Sequence, residues 1–227
     1  MKKTLFLILF FSLLLSSCAQ PEKPHFVDTK VYYAGEDNRV KSTLLNIGYV
    51  LVDNFDDADV FVLNGVVVNP YSIRSMMKNK FVGLILIPGK CTRNYGAEMD
   101  VEALLRLPII ADLMYHDNPV RISVNEDHSD DELITEIDWE NAPLVSTRQW
   151  LSAPGPGTSL LHVESYTESI IEKTSDREYY LSLHLDDENN LEFQEWEYFD
   201  YLIYHLVERA AGNDPLSYTD FSEVYIP

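Results

Sequence analysis

Cysteine is scarce in this chain: 227 residues hold two, Cys18 and Cys91. Positive charge is scarce too, with 17 lysines and arginines against 37 acids and a formal charge of −20. A chain this acidic has no electrostatic attraction for a phosphate backbone, so nucleic acid is excluded as a partner, as is a basic face for membrane adsorption. There is no Gly-x-Gly-x-x-Gly and no Gly-Lys-Ser/Thr loop, so nothing is built to cradle a nucleotide. The six histidines form no His-x₃-His or similar pair, which argues against zinc. Asp127, Asp130 and Asp131 crowd one loop, and Asp186, Asp187 and Glu188 another. Neither has calcium-loop spacing with its glycine, so both read as solvated acidic loops. No cofactor and no metal are expected.

Long apolar runs are missing except at the start. Met1-Lys2-Lys3 leads into an apolar stretch from Leu5 to Leu15, followed by Ser16-Ser17-Cys18. The basic start, the apolar stretch too short to span comfortably and the small residues after it make a secretory signal, not a membrane-spanning helix. Leu15-Ser16-Ser17-Cys18 resembles a bacterial lipobox. The resemblance implies cleavage before Cys18 and lipidation of that residue, and a membrane partner through acyl chains that contribute about 0.8 kcal/mol per buried CH₂. Ala19 after the cysteine is similar to enterobacterial proteins sorted to the outer membrane. The expected address is therefore the extracytoplasmic face of a bacterial envelope. With Cys18 acylated, Cys91 is the one thiol left, no internal disulfide can form, and stability must come from the core.

The expected organisation is a signal peptide over 1–17, a lipidated tether over 18–27 and one domain over 28–227. In the domain, strands are expected at Lys30–Ala34, Tyr49–Asp53, Asp59–Gly65 and Phe81–Ile87. Val40, Leu44 and Ile47 recur at helical spacing and Gly48 stops that helix. Asn69-Pro70 opens a second helix in cap-then-proline order, and Ala97–Leu107 reads as a third. Pro119–Val124 suits a strand with one wet face. Ser159–Glu164, Ser169–Lys173 and Glu178–Leu185 read as three successive antiparallel strands. Phe199, Leu202, Ile203, Leu206, Val207 and Ala210 form the clearest helical stripe, with Gly212 and Pro215 ending it. Tyr201, His205, Glu208 and Arg209 fall on its opposite face. Alternating strands and helices predict an α/β fold: a three-layer, mainly parallel sheet with helices on both faces, and antiparallel strands in the C-terminal half.

Phe81–Ile87 is apolar throughout and ends at Pro88-Gly89, the pattern of a strand covered on both faces and stopped by a turn. The carboxyl ends of such strands hold the sites of open α/β sheets. Gly89, Lys90, Arg93, Asn94 and Tyr95 are therefore the candidate ligand-binding residues. Eight aromatics gather near the C-terminus: Trp196, Tyr198, Phe199, Tyr201, Tyr204, Tyr218, Phe221 and Tyr225. Two readings fit them, a protein or glycan contact surface or aromatic edges packed under the C-terminal tail.

The order of these pieces resembles the class I glutamine-amidotransferase-like domains of exported or membrane-tethered bacterial proteins. Ala58–Gly65 (ADVFVLNG), Phe81–Gly89 (FVGLILIPG), Ile137–Leu144 (IDWENAPL), Glu195–Ala211 and Asp214–Phe221 carry the likeness. It implies a flavodoxin-like sheet, and many such domains lack catalytic residues and bind instead. Enzymes of this family use a cysteine in Gly-x-Cys-x-Gly and a downstream His-x-Glu. Gly89-Lys90-Cys91 matches the first half, but Arg93 replaces the second glycine. His184-Leu185-Asp186 imitates His-x-Glu with a shorter acid. The preferred expectation is a non-catalytic lipoprotein domain that binds an envelope protein or small ligand. The rivals are an amidase or hydrolase using Cys91, His184 and Asp186, and an envelope carbohydrate-binding protein resembling the trehalose-utilisation proteins of this fold.

Overall fold

The computed structural model describes residues 27–66, 69–77, 82–90, 113–151, 157–166 and 168–225. The strands are β1 (Lys30–Gly35), β2 (Val50–Leu51), β3 (Val60–Asn64), β4 (Gly83–Ile87), β5 (Leu113–His116), β6 (Ile122–Val124), β7 (Arg148–Leu151), β8 (Thr158–Val163), β9 (Ser169–Ser175) and β10 (Glu178–Leu181). The helices are α1 (Arg39–Ile47), α2 (Pro70–Met77), α3 (Glu132–Thr135), α4 (Leu191–Gln194), α5 (Phe199–Ala211) and α6 (Tyr218–Val224). The expected helix over Ala97–Leu107 lies outside the described residues.

Among the described residues, eight strands form one sheet in the order β2-β1-β3-β4-β10-β9-β8-β6, and β5 pairs with β7 apart from it. The neighbours from β2 through β10 run parallel; β9, β8 and β6 add antiparallel strands. Every residue of β3 and β4 is buried. Val60, Val62, Ile85 and Ile87 meet α1 and α5 on one face, while Phe61, Leu63, Leu84 and Leu86 meet Ile73 and Met77 of α2 on the other. Continuous apolar strands are thus covered by helices on both sides, which is why they show no polar alternation. The fold is a three-layer α/β sheet, mostly parallel, as the pattern predicted.

The helix signals act as read. The Asn38 side chain accepts Val40 N–H at the start of α1, and Gly48, at φ 107°, closes it in the left-handed region. Asn69 Oδ1 accepts Ser72 N–H at the start of α2.

Three expectations need correction. Tyr49–Asp53 shrinks to the two residues of β2, because Asn54 caps a short 3₁₀ turn over Phe55–Asp57 and pulls the chain off the edge. Glu178–Leu185 joins the antiparallel run as expected but ends as a strand at Leu181 and takes a second partner. β10 inserts between β4 and β9, parallel to the former (Tyr179 opposite Ile85) and antiparallel to the latter. Residues 182–184 then leave it to pair with β7, through Gln149 N–H to Ser182 O (2.8 Å) and His184 N–H to Thr147 O (3.0 Å). The β5–β7 pair was not foreseen.

The third correction concerns α5. Tyr201, His205 and Glu208 are buried, not solvated. The tail and α6 cover that face: Tyr201 Oη donates to Leu216 O (3.0 Å), Leu216 N–H donates to Tyr204 Oη (2.9 Å), and the Phe221 ring packs tilted against both tyrosines. Glu208 accepts from Thr29, Tyr49 and Asn213. The C-terminal aromatics are therefore packing groups. Burial leaves the His205 imidazole neutral, its pKa lowered to about 3 by desolvation and then by Arg209.

Glu172 on β9 supplies a pH prediction. It is buried beside Gly157, where a Cβ would lie 2.5 Å from its Oε1, and that oxygen has no hydrogen-bond partner. Desolvation raises its pKa from 4.5 to about 6. The folded state thus binds the proton more tightly than the unfolded state. The group's contribution is complete below pH 4.5 and is lost as pH rises through 6. Glu172→Gln should stabilise the protein by about 2 kcal/mol at pH 8 and leave it unchanged at pH 4. Urea midpoints across pH 4–8 that superpose for the two proteins would rule this out.

Candidate functional site

The parallel register brings strand ends together. Gly35 of β1 lies opposite Asn64 of β3, and Asn64 opposite Ile87 of β4. The chain builds outward in opposite directions from β1 and β3, to β2 on one side and β4 on the other. In open α/β sheets this reversal opens a crevice beyond the carboxyl ends of the strands, where ligands bind.

Asn64 is 2% exposed. Its Nδ2 spends both hydrogens, on Tyr33 Oη (3.1 Å) and Asn38 Oδ1 (3.1 Å). Its Oδ1 is buried and has no hydrogen-bond partner. Tyr33 Oη donates to Glu36 O at 2.9 Å. Burial raises the Tyr33 pKa to about 12; the Asn64 hydrogen bond lowers it, and Asp37, Glu36 and Asp186 push it up again. The phenol therefore sits in a negative field. Lys41 pairs with Asp37 on the rim.

Asp186 enters from the loop after β10. Its Oδ2 accepts Lys90 N–H at 2.8 Å, just past the end of β4. Its Oδ1 is buried without a hydrogen-bond partner. Gly65 and Gly89 make room for it. A Cβ on Gly89 would lie 2.6 Å from Gly65 Cα and 2.8 Å from Asp186 Oδ2, so no side chain fits there. Gly65, at φ 68°, also needs a backbone that other residues rarely adopt. The loop itself is clamped by Asn190, whose Oδ1 accepts Ser146 N–H (2.8 Å) and whose Nδ2 donates to Thr147 O (2.7 Å) and His184 O (3.1 Å).

Of the residues expected in the site, Gly89, Lys90 and Asp186 meet at this end of the sheet. His184 is buried at the same end of β10, its ring edge-to-face with Tyr115 at 5.7 Å. Cys91, Arg93, Asn94 and Tyr95 lie outside the described residues, as does Cys18. Tyr33, Asn38 and Asn64 were missed. Asn64-Gly65 repeats the strand-then-glycine pattern of Ile87-Pro88-Gly89, and that repeat was the available signal. Among the described residues, open pockets lie elsewhere as well, one between β6 and Trp139 and one between α3 and the end of α5. Among the described residues no group of three His, Cys, Asp or Glu side chains is arranged to hold a metal ion.

No family model and no curated protein matches this chain. Solved structures do. The chain is similar to the cytoplasmic protein STM3548 from Salmonella typhimurium, with a TM-score of 0.57 at 11% identity over 79% of this chain and 98% of that one. It is similar to the cytoplasmic protein STM1381 from Salmonella typhimurium LT2, with a TM-score of 0.54 at 9% identity over 79% and 98%. A third match is SMU.1228c, with a TM-score of 0.50 at 14% identity over 80% and 97%. At such identities the likeness concerns the fold alone.

Proposed function

We propose that this chain is a membrane-anchored extracytoplasmic bacterial lipoprotein whose class I glutamine-amidotransferase-like domain is a binding module, taking a small ligand or a partner's side chain at the carboxyl-end crevice. The strand order β2-β1-β3-β4 supports the flavodoxin-like part of this reading. The lipobox-like Leu15–Cys18 supports the anchor. The observation that carries binding is the pair of buried, unpartnered acceptors, Asn64 Oδ1 and Asp186 Oδ1, at the switch point of the sheet. Buried polar atoms without partners are uncommon in folded proteins and call for an explanation.

Amide-resolved NMR on the full-length chain in detergent tests the reading. A panel of amino acids, amides and sugars should shift residues 33–38, 64–66, 88–90 and 184–187 together. Shifts confined to other surfaces would end it. Labelled palmitate incorporated into the wild type and lost in Cys18→Ala tests the anchor.

One observation favours a second reading, cysteine-dependent amide hydrolysis. Asp186 binds the N–H of Lys90, the residue just before Cys91, and His184 is buried at the same strand end. Fast alkylation by iodoacetamide, with an apparent thiol pKa well below the free value of about 8.5 and abolished in Cys91→Ser, would support it. Slow alkylation would leave the binding reading alone. The carbohydrate-binding reading draws no support from Tyr201, Tyr204 and Phe221, which are packed inside.

A further inference from the structure

The crevice contains acceptors in excess. Asn38 Oδ1 already takes Val40 N–H and Asn64 Nδ2. Asn64 has exhausted its donors and keeps a carbonyl oxygen unmet. Asp186 has met one oxygen with Lys90 N–H and keeps the other unmet. A Cβ on Gly89 would lie 2.8 Å from Asp186 Oδ2, so no side chain can be added there to supply a donor. The charges acting on Tyr33 are negative, from Asp37, Glu36 and Asp186, and the rim cation Lys41 is already paired with Asp37. A ligand that relieves this arrangement must bring hydrogen-bond donors, and a positively charged donor gains most. A carboxylate or phosphate would meet acceptors and like charge.

Resting on the binding reading above, we propose that the crevice at the ends of β1, β3 and β4 recognises a primary ammonium group, with Asn64 Oδ1 and Asp186 Oδ1 accepting two of its N–H donors. The third N–H is left for solvent or for the rest of the ligand. Two envelope chemistries carry this group, amino sugars and the free amines of amino acids or peptides. Both present the same –NH₃⁺ to the protein, and the remainder of the molecule separates them.

The test uses four probes on the full-length chain in detergent, read by amide NMR titration: D-glucosamine and glycinamide, each beside its N-acetyl form. N-acetylation keeps the skeleton and removes the charge. At least one free amine should shift residues 33–38, 64–66 and 184–187, with binding at least tenfold tighter than its N-acetyl partner. Glucosamine alone would identify the amino sugar as the source, and glycinamide alone the amino acid or peptide. Asp186→Asn keeps an acceptor for Lys90 N–H and removes the charge; it should weaken the amine tenfold or more while leaving the unperturbed spectrum folded. Asn64→Leu should do likewise, and Asp186→Asn keeps the test decisive if that variant unfolds. N-acetyl forms that shift the same amides equally well would overturn the ammonium inference and leave the crevice reading standing. Shifts from every probe that avoid the crevice, or no shift with any of them, would remove the inference, and the former would remove the crevice reading as well.

Discussion

Replacing Arg148 with methionine should cost about 3–5 kcal/mol, a large part of the stability of a domain this size. Arg148 is 1% exposed at the start of β7, far from where hydropathy puts an arginine. Its Nε donates to Glu168 Oε2 at 2.9 Å and its Nη2 lies 2.8 Å from the same carboxylate. Its Nη1 donates to the carbonyls of Asn118 (2.9 Å) and Ser146 (3.0 Å). Methionine fills much of the volume but leaves Glu168, itself buried, with its counter-charge gone. Leaving one member of a buried pair behind costs more than the pair contributes. The double variant Arg148→Met, Glu168→Gln should therefore recover part of the loss. Urea unfolding of wild type, both singles and the double supplies the cycle. A loss below about 1 kcal/mol for Arg148→Met would show the pair is solvated.

That residue also marks where sequence reading stops. β3, β4, α1 and α5 were legible because apolar runs, helical spacing and caps are local signals, and local signals agree with the fold in those segments. The partner of β10 was not legible: Tyr179 and Tyr180 fit a strand in any sheet position, and only tertiary assembly puts them beside Ile85 and Leu86. The burial of Arg148, Glu208 and Asn64 was hidden for a related reason. Each is polar and meets partners distant in the chain, Glu208 with Thr29 across 179 positions and the Asn64 amide nitrogen with Tyr33 across 31. A hydropathy pattern has no way to represent such a partner. The candidate site divides the same way. Gly89, Lys90, His184 and Asp186 were found because they imitate a known pattern. Tyr33 and Asn64 were passed over because each read as part of a strand, Lys30–Ala34 and Asp59–Gly65, and Asn38 because it precedes a helix where a capping residue is expected. Their second role depends on the switch between β1 and β3, which is a property of strand order.

Gly83→Ala should be the most damaging addition of a single methyl group to this protein. Gly83 opens β4, and α5 ends directly above it. A Cβ there would lie 2.2 Å from Ala210 O and 2.5 Å from Ala210 C, with both contacts to backbone. A flexible side chain could swing away, but the last turn of α5 cannot. That turn is fixed by the Gly212 cap, which donates to Arg209 O and Glu208 O at φ 84°, and by Glu208's bonds to Thr29, Tyr49 and Asn213. Either α5 lifts from the sheet or β4 slides away from β3 and β10. Overpacking typically costs 1–3 kcal/mol, and a clash with backbone belongs at or beyond the top of that range, about 3 kcal/mol. Gly48→Ala is the matched control. Its Cβ would meet only Val27 Cγ2 at 3.9 Å, so it pays for a left-handed backbone and nothing else, about 1–2 kcal/mol. Chemical unfolding should rank Gly83→Ala clearly below Gly48→Ala. The reverse order would mean that α5 does not rest on β4, and with it the packing that aligns the ends of β1, β3 and β4 would have to be redrawn.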